Sequence, residues 1–271
     1  MSESKADMEA DISAAADGGE AVALMEPMVI AEGSRHRGDL TDLAVEVAAR
    51  SAGFRRSLPS GVRRALADLV RAMNCYYSNL IEGHDTHPID IERALNNDYS
   101  NDPRKRDLQL EAKAHMSVQQ WIDAGGLKDR SVSLAGIKEI HDRFCTLLPD
   151  DLLWIENPDT GERLRVLPGQ LRDRDVRVGQ HIPVTAGAVA RFLAHFENVY
   201  SRLGRTEKIV STAAATGVSQ DWYLTQLSSR LWIRAEYGLS HVASPVMSWS
   251  IKVISPIAIS AAETISMDAA I

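Results

Sequence analysis

Apolar residues recur at the spacing of a single helix face through most of the chain between residues 40 and 215. Proline or serine precedes several of these runs and glycine follows two of them, as expected at helix ends. The pattern predicts a mainly α fold, because amphipathic helices are stable only when their apolar faces pack together. The predicted helices lie at about 40–52, 60–82, 88–95, 103–124, 134–147, 185–200 and 206–215.

The helix predicted from Ser60 has a regular apolar pattern, and we expect it to bury one stripe of side chains. That stripe consists of Val62, Leu66, Leu69, Val70, Met73, Tyr77 and Leu80. Near the helix end, Ser78 and Glu82 lie four residues apart and therefore leave the same face. The helix dipole disfavours a carboxylate in the last turn, so Glu82 either pairs with a cation from another element or is an ordinary solvated glutamate.

A short loop with two histidines follows this helix. His84, Asp85 and His87 together could bind a metal ion, but a zinc site needs a third or fourth protein ligand and the sequence indicates none. The alternative is structural, because Asp85 or Thr86 can cap the helix that begins at Pro88. We interpret the histidines within predicted helices as packing or boundary residues: His115, His141 and His195.

The spacing changes from helical to alternating between residues 162 and 178. Residues 162–167 and 176–178 alternate in strand fashion around Pro168-Gly169, which predicts a β-hairpin. Its exposed edge could accept an extra strand from a partner peptide, and its arginines could attract phosphate or acidic groups. The alternative is a solvated hairpin with alternating charges on its outer face. The arginines are Arg172, Arg174 and Arg177.

The net charge of −7 arises entirely from the first 34 residues, which hold eight acidic residues and one lysine. We predict that residues 1–34 are a disordered acidic tail, since they offer little apolar surface for burial. The rest of the chain is neutral, which argues against a nucleic-acid partner. Cys75 and Cys145 are expected to be reduced core thiols. With no signal-peptide pattern, and an apolar stretch at 253–262 too short for a membrane span, the sequence predicts a cytoplasmic protein that does not contact a membrane.

Charged residues become scarce towards the C-terminus. The 61 residues from 211 to 271 contain 7 charged side chains, whereas the first 210 residues contain 60. The same stretch holds 11 serines and three of the five tryptophans, and no regular apolar spacing persists beyond Thr216. This change indicates that the chain has two parts of different character.

Three segments of the chain, taken in order, carry a family signature. Residues 74–84 read Asn-Cys-Tyr-Tyr-Ser-Asn-Leu-Ile-Glu-Gly-His, and residues 86–95 contain Thr-His-Pro and Ile-Glu-Arg-Ala-Leu. Residues 168–179 contain Pro-Gly, then Arg172, then Val-x-Val-Gly. On these segments, the chain from Val29 to about Ala215 resembles the Fic (Fido) family of AMP-transferring enzymes.

The resemblance implies a fold and an activity. Residues 35–125 would form an N-terminal helical region with an inhibitory helix, and residues 126–215 the first part of a Fic-type helical domain with one β-hairpin, the flap. Enzymes of the family transfer AMP from ATP to a hydroxyl side chain of a target protein, with ATP and Mg²⁺ as cofactors. The sequence does not identify the target protein, and it leaves a homodimer open.

The resemblance also implies roles for particular residues. The family's inhibitory helix carries a Ser/Thr-x-x-x-Glu-Gly/Asn motif, which Ser78, Glu82 and Gly83 match. In the family this glutamate pairs with an active-site arginine and blocks productive placement of ATP, which would supply the cation expected near Glu82. The flap would hold a target segment as an added strand beside the active site. Its residues here are Val166, Leu167, Pro168, Gly169, Arg172, Val176 and Val178.

The catalytic motif of the family is missing. That motif reads His-Pro-Phe-x-x-Gly-Asn-Gly-Arg and should begin shortly after the helix at 206–215, where residues 216–223 instead read Thr-Gly-Val-Ser-Gln-Asp-Trp-Tyr. Its histidine is the general base, its glycines and asparagine cradle phosphates at a helix N-terminus, and its arginine neutralises phosphate charge. We therefore assign no catalytic residue and no metal ligand, and ATP and Mg²⁺ lose their expected binding groups.

The motif is lost where the composition changes. We hypothesise that residues 216–271 are an aberrant segment, from an altered reading frame or a rearranged gene end, that replaces or truncates the C-terminal part of the domain. AMP transfer should then be negligible, and several core residues should lose their usual partners: Leu69, Met73, Phe144, Phe192 and Phe196. Apolar residues of the new segment could cover them: Leu224, Leu227, Leu231, Trp232 and Ile233.

Three interpretations of function follow from these observations. The first is an AMP transferase by descent that lacks its catalytic loop and was self-inhibited through Glu82. The second is a non-catalytic scaffold that binds proteins through the flap hairpin. The third is a divergent enzyme that uses other residues, such as His181 with Arg172.

Overall fold

Two of the helices begin at residues whose side chains cap them. Asp102 accepts hydrogen bonds from the backbone N–H groups of Arg104 and Lys105. Ser133 accepts one from the N–H of Gly136 at the start of the next helix. These caps satisfy backbone donors that a helix leaves unpaired in its first turn, and they explain why both helices start where the sequence predicts.

The computed structural model describes residues 16–22, 29–81, 86–156, 161–175 and 183–217. These residues are mainly helical, as predicted, with two short strands. In chain order the elements are α1 (Arg37–Ser57), α2 (Ser60–Ile81), α3 (Pro88–Leu95), α4 (Pro103–Asp123), α5 (Leu134–Thr146), β1 (Trp154–Glu156), β2 (Arg163–Arg165), α6 (Val189–Tyr200) and α7 (Arg205–Gly217). A 3-10 turn at Ala186–Ala188 leads directly into α6.

The main core lies between α4, α5 and α6. Its largest buried side chains are Phe144 on α5 and Phe192 on α6. A smaller cluster joins α2, α3 and α4 through Cys75, Ile91, Ala112 and Met116. α4 contributes side chains to both clusters, so it connects the region before residue 125 with the region after it.

The expectation of an opened core is wrong for the aromatic residues. Phe144, Phe192 and Phe196 are all buried, because α4, α5 and α6 already enclose them. On α2, by contrast, Leu69 is exposed and Met73 is half-buried, as expected for residues that lack a packing partner.

The apolar stripe predicted for α2 points away from the core. Leu69 is 56% exposed. Other members of the stripe are also exposed: Val62, Leu66, Val70 and Tyr77. Among the described side chains of α2, the buried ones are Cys75 and Asn79, and Ala72 packs with Cys75 against α3 and α4. The predicted burial is therefore wrong for these five residues, while Met73 is half-buried. Periodicity identifies a helix face but not the surface that covers it.

Substitution on this face should have little effect on stability. Leu69→Gln is expected to change the free energy of unfolding by less than about 0.5 kcal/mol, because the side chain is mostly in water already. Met116→Ala, in the smaller buried cluster, should cost about 2–5 kcal/mol. Urea titrations of the two variants and the wild type measure both values. A large loss in Leu69→Gln would mean that residues outside the described ranges cover this face.

The two strands form an antiparallel pair that the sequence analysis did not predict. β2 pairs antiparallel with β1, which precedes it, and Ile155 lies opposite Leu164. The sequence between the strands, Asn-Pro-Asp-Thr-Gly at 157–161, is rich in turn-forming residues, and this signal accounts for the pairing. The predicted partner strand at 176–178 lies outside the described residues.

Part of the predicted disordered tail has a fixed place in the structure. Residues 16–22 lie against the start of α6, where Arg191 binds Asp17 and Val22 contacts the main core. Ion pairing and backbone hydrogen bonds hold these residues, which offer little apolar surface.

Both cysteines are buried as free thiols, as the sequence predicts. Cys75 lies in the smaller cluster, and Cys145 lies in the main core. Among the described helices, none combines the length and the apolar character that crossing a membrane requires.

Candidate functional site

The inhibitory motif implied by the resemblance falls at the end of α2. The described part of this helix ends at Ile81, directly before Glu82 in the sequence. Glu82, Gly83 and the side chain of Ser78 lie outside the described residues, and their roles stay predictions. The neighbouring Asn79 is buried, so the last turn of α2 packs against the rest of the protein.

The histidine loop after α2 is described only from Thr86 onward. The cap position of α3 is His87, whose side chain makes no capping hydrogen bond, so the predicted cap by Thr86 is wrong. Thr86 is instead buried. His84 and Asp85 lie outside the described residues. Within the described ranges, no group of three or more His, Cys, Asp or Glu side chains is placed to hold a metal ion.

Residues 166–170 form a turn that is fixed on α5. The N–H of Gly169 donates a hydrogen bond to Nδ1 of His141 at 2.9 Å. Gly169 has a φ of +68°, and a Cβ added there would stand 3.1 Å from Cβ of Asp142. Glycine is required at this position, because other residues rarely adopt this conformation and the helix leaves little room for a side chain.

The turn presents one apolar side chain to solvent. Val166 is buried and its N–H donates to the Leu153 carbonyl at 2.7 Å, whereas Leu167 is 46% exposed and Pro168 is half-buried. Of the predicted flap residues, the turn therefore brings together Val166, Leu167, Pro168 and Gly169. Val176 and Val178 lie outside the described residues.

Burial determines the chemistry of His141 and Cys145. Because Nδ1 of His141 accepts the Gly169 N–H, we place the proton of the neutral imidazole on Nε2, which lies 3.3 Å from Sγ of Cys145. Burial lowers the pKa of His141 to about 3 and raises the pKa of Cys145 to about 12. At neutral pH a neutral imidazole therefore meets a protonated thiol, which supports the turn and does not form a nucleophile and its base. The prediction that His141 is a packing residue is confirmed.

The buried imidazole should make stability depend on pH. Between pH 7 and pH 5 the unfolded chain takes up a proton on His141, whose ordinary pKa is 6.5, while the folded chain does not. The free energy of unfolding should therefore fall on acidification, with about 2 kcal/mol of that loss due to His141. His141→Gln is expected to remove this part of the pH dependence in urea titrations at the two pH values. His36→Gln, at an exposed position, is the matched control, and an unchanged pH dependence in His141→Gln would contradict the assignment.

Arg172 joins the two ends of the segment that follows the turn. Its guanidinium donates to the carbonyl of Arg174 at 2.8 Å and to the carbonyl of Val184. The carboxylate of Asp175 accepts the N–H of Ala186 at 2.7 Å. We call these five residues, Arg172, Arg174, Asp175, Val184 and Ala186, the neck, because their contacts hold residues 172–175 against residues 184–186.

Arg172 was predicted to contact a target segment or a phosphate, but the neck buries its side chain. Its side chain is 1% exposed, and burial lowers its pKa. A guanidinium enclosed in this way cannot reach a phosphate or a docking partner, so the structure gives Arg172 a framework role. Its Nε has no hydrogen-bond partner among the described residues. A catalytic pair with His181 stays a prediction, because His181 lies outside those residues. Arg174 is exposed and pairs with Glu162 at 2.7 Å, the kind of contact expected of a solvated hairpin.

The sequence interpretation missed His141 and Asp175 as residues that shape this site. His141 lies four residues before Cys145, which predicts that both share a helix face. The partner of His141 is the backbone of Gly169, 28 residues away, and no local pattern connects the two positions. Asp175 was visible only as one charge among several in residues 172–177.

The described residues thus define a mainly helical protein with a glycine turn held by a buried histidine and a neck closed by a buried arginine. Comparison of the chain with protein-family models, with curated proteins and with solved structures yields no match. The resemblance to the Fic family rests on the three sequence segments given above.

Proposed function

We propose that this chain is a Fic-related protein that binds a segment of a target protein along the flap and does not transfer AMP. The observation that carries the proposal is the turn at 166–170, which His141 fixes in place while Leu167 stays exposed. A backbone that is already ordered, beside an exposed apolar side chain, binds an extended peptide with little further loss of conformational entropy.

The strand next to the turn supports the same function. β2 pairs with β1 along one edge, and within the described residues no strand pairs with its other edge. An extended segment of a target could add at such an edge through backbone hydrogen bonds. Leu167 follows two residues after β2 and would contact a side chain of that segment.

The loss of AMP transfer follows from the chain that succeeds α7. The family signature runs in order through residues 74–179, and the His-Pro-Phe and Gly-Asn-Gly-Arg sequences that should complete it are missing. We propose an altered reading frame or a rearranged gene end as the cause. The coding DNA tests this directly, and the idea fails if no other frame beyond codon 216 encodes the two missing sequences.

Selection of displayed random peptides on the immobilised full chain tests the binding function. Selected peptides are expected to lose affinity roughly tenfold or more with Leu167→Asp, a change equivalent to about 1.4 kcal/mol. Leu95→Asp, at the exposed end of α3, is the matched control and should leave affinity unchanged. Peptides that bind both variants equally well, or a selection that enriches none, would count against the flap as a binding site.

A further inference from the structure

An acidic segment near the N-terminus is bound at the start of α6. The carboxylate of Asp17 accepts two hydrogen bonds from the guanidinium of Arg191, at 2.9 and 2.8 Å. A third nitrogen of the same guanidinium donates to the backbone carbonyl of Glu20 at 2.7 Å. One arginine thus binds both a side chain and the backbone of the segment, which fixes its position and its direction.

Thr185 provides the second half of the contact. Its N–H donates to one carboxylate oxygen of Glu20 at 2.6 Å, and its hydroxyl lies 3.1 Å from the other oxygen. The N–H of Gly18 donates to that hydroxyl at 2.8 Å. Val22 then packs against the main core. Every residue of this contact except Val22 uses polar groups, so the site recognises charge and spacing more than apolar area.

The charges at this site are complementary at neutral pH. The hydrogen bonds from Arg191 lower the pKa of Asp17 to about 2, and the N–H of Thr185 lowers the pKa of Glu20. Both carboxylates are therefore ionised. The buried guanidinium of Arg172, in the neck, adds a positive charge that interacts with Glu20.

We propose that Thr185 and Arg191 form a binding site for acidic segments of the form Asp-x-x-Glu, which the chain's own residues 17–20 occupy. A second acidic segment of the same spacing would compete for it. Because a segment of the same chain acts at an effective concentration on the order of 1 mM, a free peptide should displace it only weakly. The proposal stands independently of the function proposed above.

Binding of the acidic segment at this site should also stabilise the neck. Thr185 lies between Val184, whose carbonyl accepts from Arg172, and Ala186, whose N–H donates to Asp175. Glu20 accepts a hydrogen bond from the backbone N–H of Thr185. The acidic segment therefore binds Thr185, while the neck binds its two neighbours, Val184 and Ala186. Release of the segment is therefore expected to loosen the backbone at 184–186.

Binding of a labelled peptide tests the proposal on the full chain. The probe is a fluorescein-labelled peptide of residues 15–24, and the acceptor is the full chain with Asp17→Asn and Glu20→Gln, which weakens its own occupant. We expect the peptide to bind this acceptor in fluorescence anisotropy and to bind the wild-type chain at least about tenfold more weakly, because the wild type is already occupied. Added Arg191→Gln should abolish binding, whereas Arg202→Gln, at an exposed arginine just after α6, should not.

Hydrogen exchange provides a second measurement on the undisturbed chain. Arg191→Gln alone should speed exchange at the amides of Gly18, Thr185 and Ala186 by about tenfold or more, and Arg202→Gln should leave them unchanged. The proposal is overturned if the peptide fails to bind the Asp17→Asn, Glu20→Gln chain, if it binds equally well after Arg191→Gln, or if these amides exchange at the wild-type rate in Arg191→Gln.

Discussion

The purified chain, incubated with labelled ATP, Mg²⁺ and a cell lysate, is expected to transfer no AMP to protein above the level of a heat-denatured control. The family's general base contributes about 10²–10⁴-fold to such a step, and each group that stabilises the developing charge contributes about 10²–10³-fold. This chain holds neither His-Pro-Phe nor Gly-Asn-Gly-Arg anywhere in its sequence. Together these losses should bring the rate to background.

Two variants make this prediction sharper. Glu82→Gly, which in the family would relieve self-inhibition, should leave the rate at background, because there is no catalytic loop to release. Calorimetric titration with ATP and Mg²⁺ should likewise show no saturable heat. AMP incorporation that rises with Glu82→Gly would show that a functional site survives. Incorporation that disappears with His181→Ala would instead support a divergent enzyme.

Phe192→Ala is expected to lower the free energy of unfolding by about 3–5 kcal/mol, the cost of removing a large buried side chain and leaving a cavity. Phe192 has no exposed surface and lies in the main core with Phe144 and Leu193. A loss of this size is a large part of the roughly 5–15 kcal/mol that keeps a domain folded. The variant should therefore melt far below the wild type in thermal and urea unfolding.

Phe54 offers a matched control for this prediction. It lies on α1 and is mostly exposed, so Phe54→Ala removes the same atoms without opening a cavity. Its effect should stay within about 0.5 kcal/mol. If both variants lose similar stability, the core described between α4, α5 and α6 is not the one that stabilises the chain.

The helices of this protein were predictable because their signals are local. Asp102 and Ser133 cap α4 and α5 by bonding to N–H groups within three residues, and proline begins α3. Such signals act within one helical turn and do not depend on how the rest of the chain packs. They locate elements well, but the α2 stripe shows that they do not say which surfaces meet.

The candidate site was predictable only in part, since its contacts connect distant positions. Pro168-Gly169 was correctly expected to be a turn, whereas the pairing of the strand before it with β1 was not predicted. Arg172 donates to the carbonyl of Val184, which is distant in the sequence, and no local pattern connects the two positions. The docking of Asp17 on Arg191 spans 174 residues, and only a three-dimensional arrangement can reveal it.

The neck has a consequence for how sequences of this kind can diverge. One guanidinium bonds to the carbonyls of Arg174 and Val184, so it fixes the distance between these two positions of the chain. For a loop with fixed ends, doubling its length costs only about 0.6 kcal/mol in closure entropy. An insertion between Asp175 and Val184 should therefore cost less stability than a substitution of Arg172 itself.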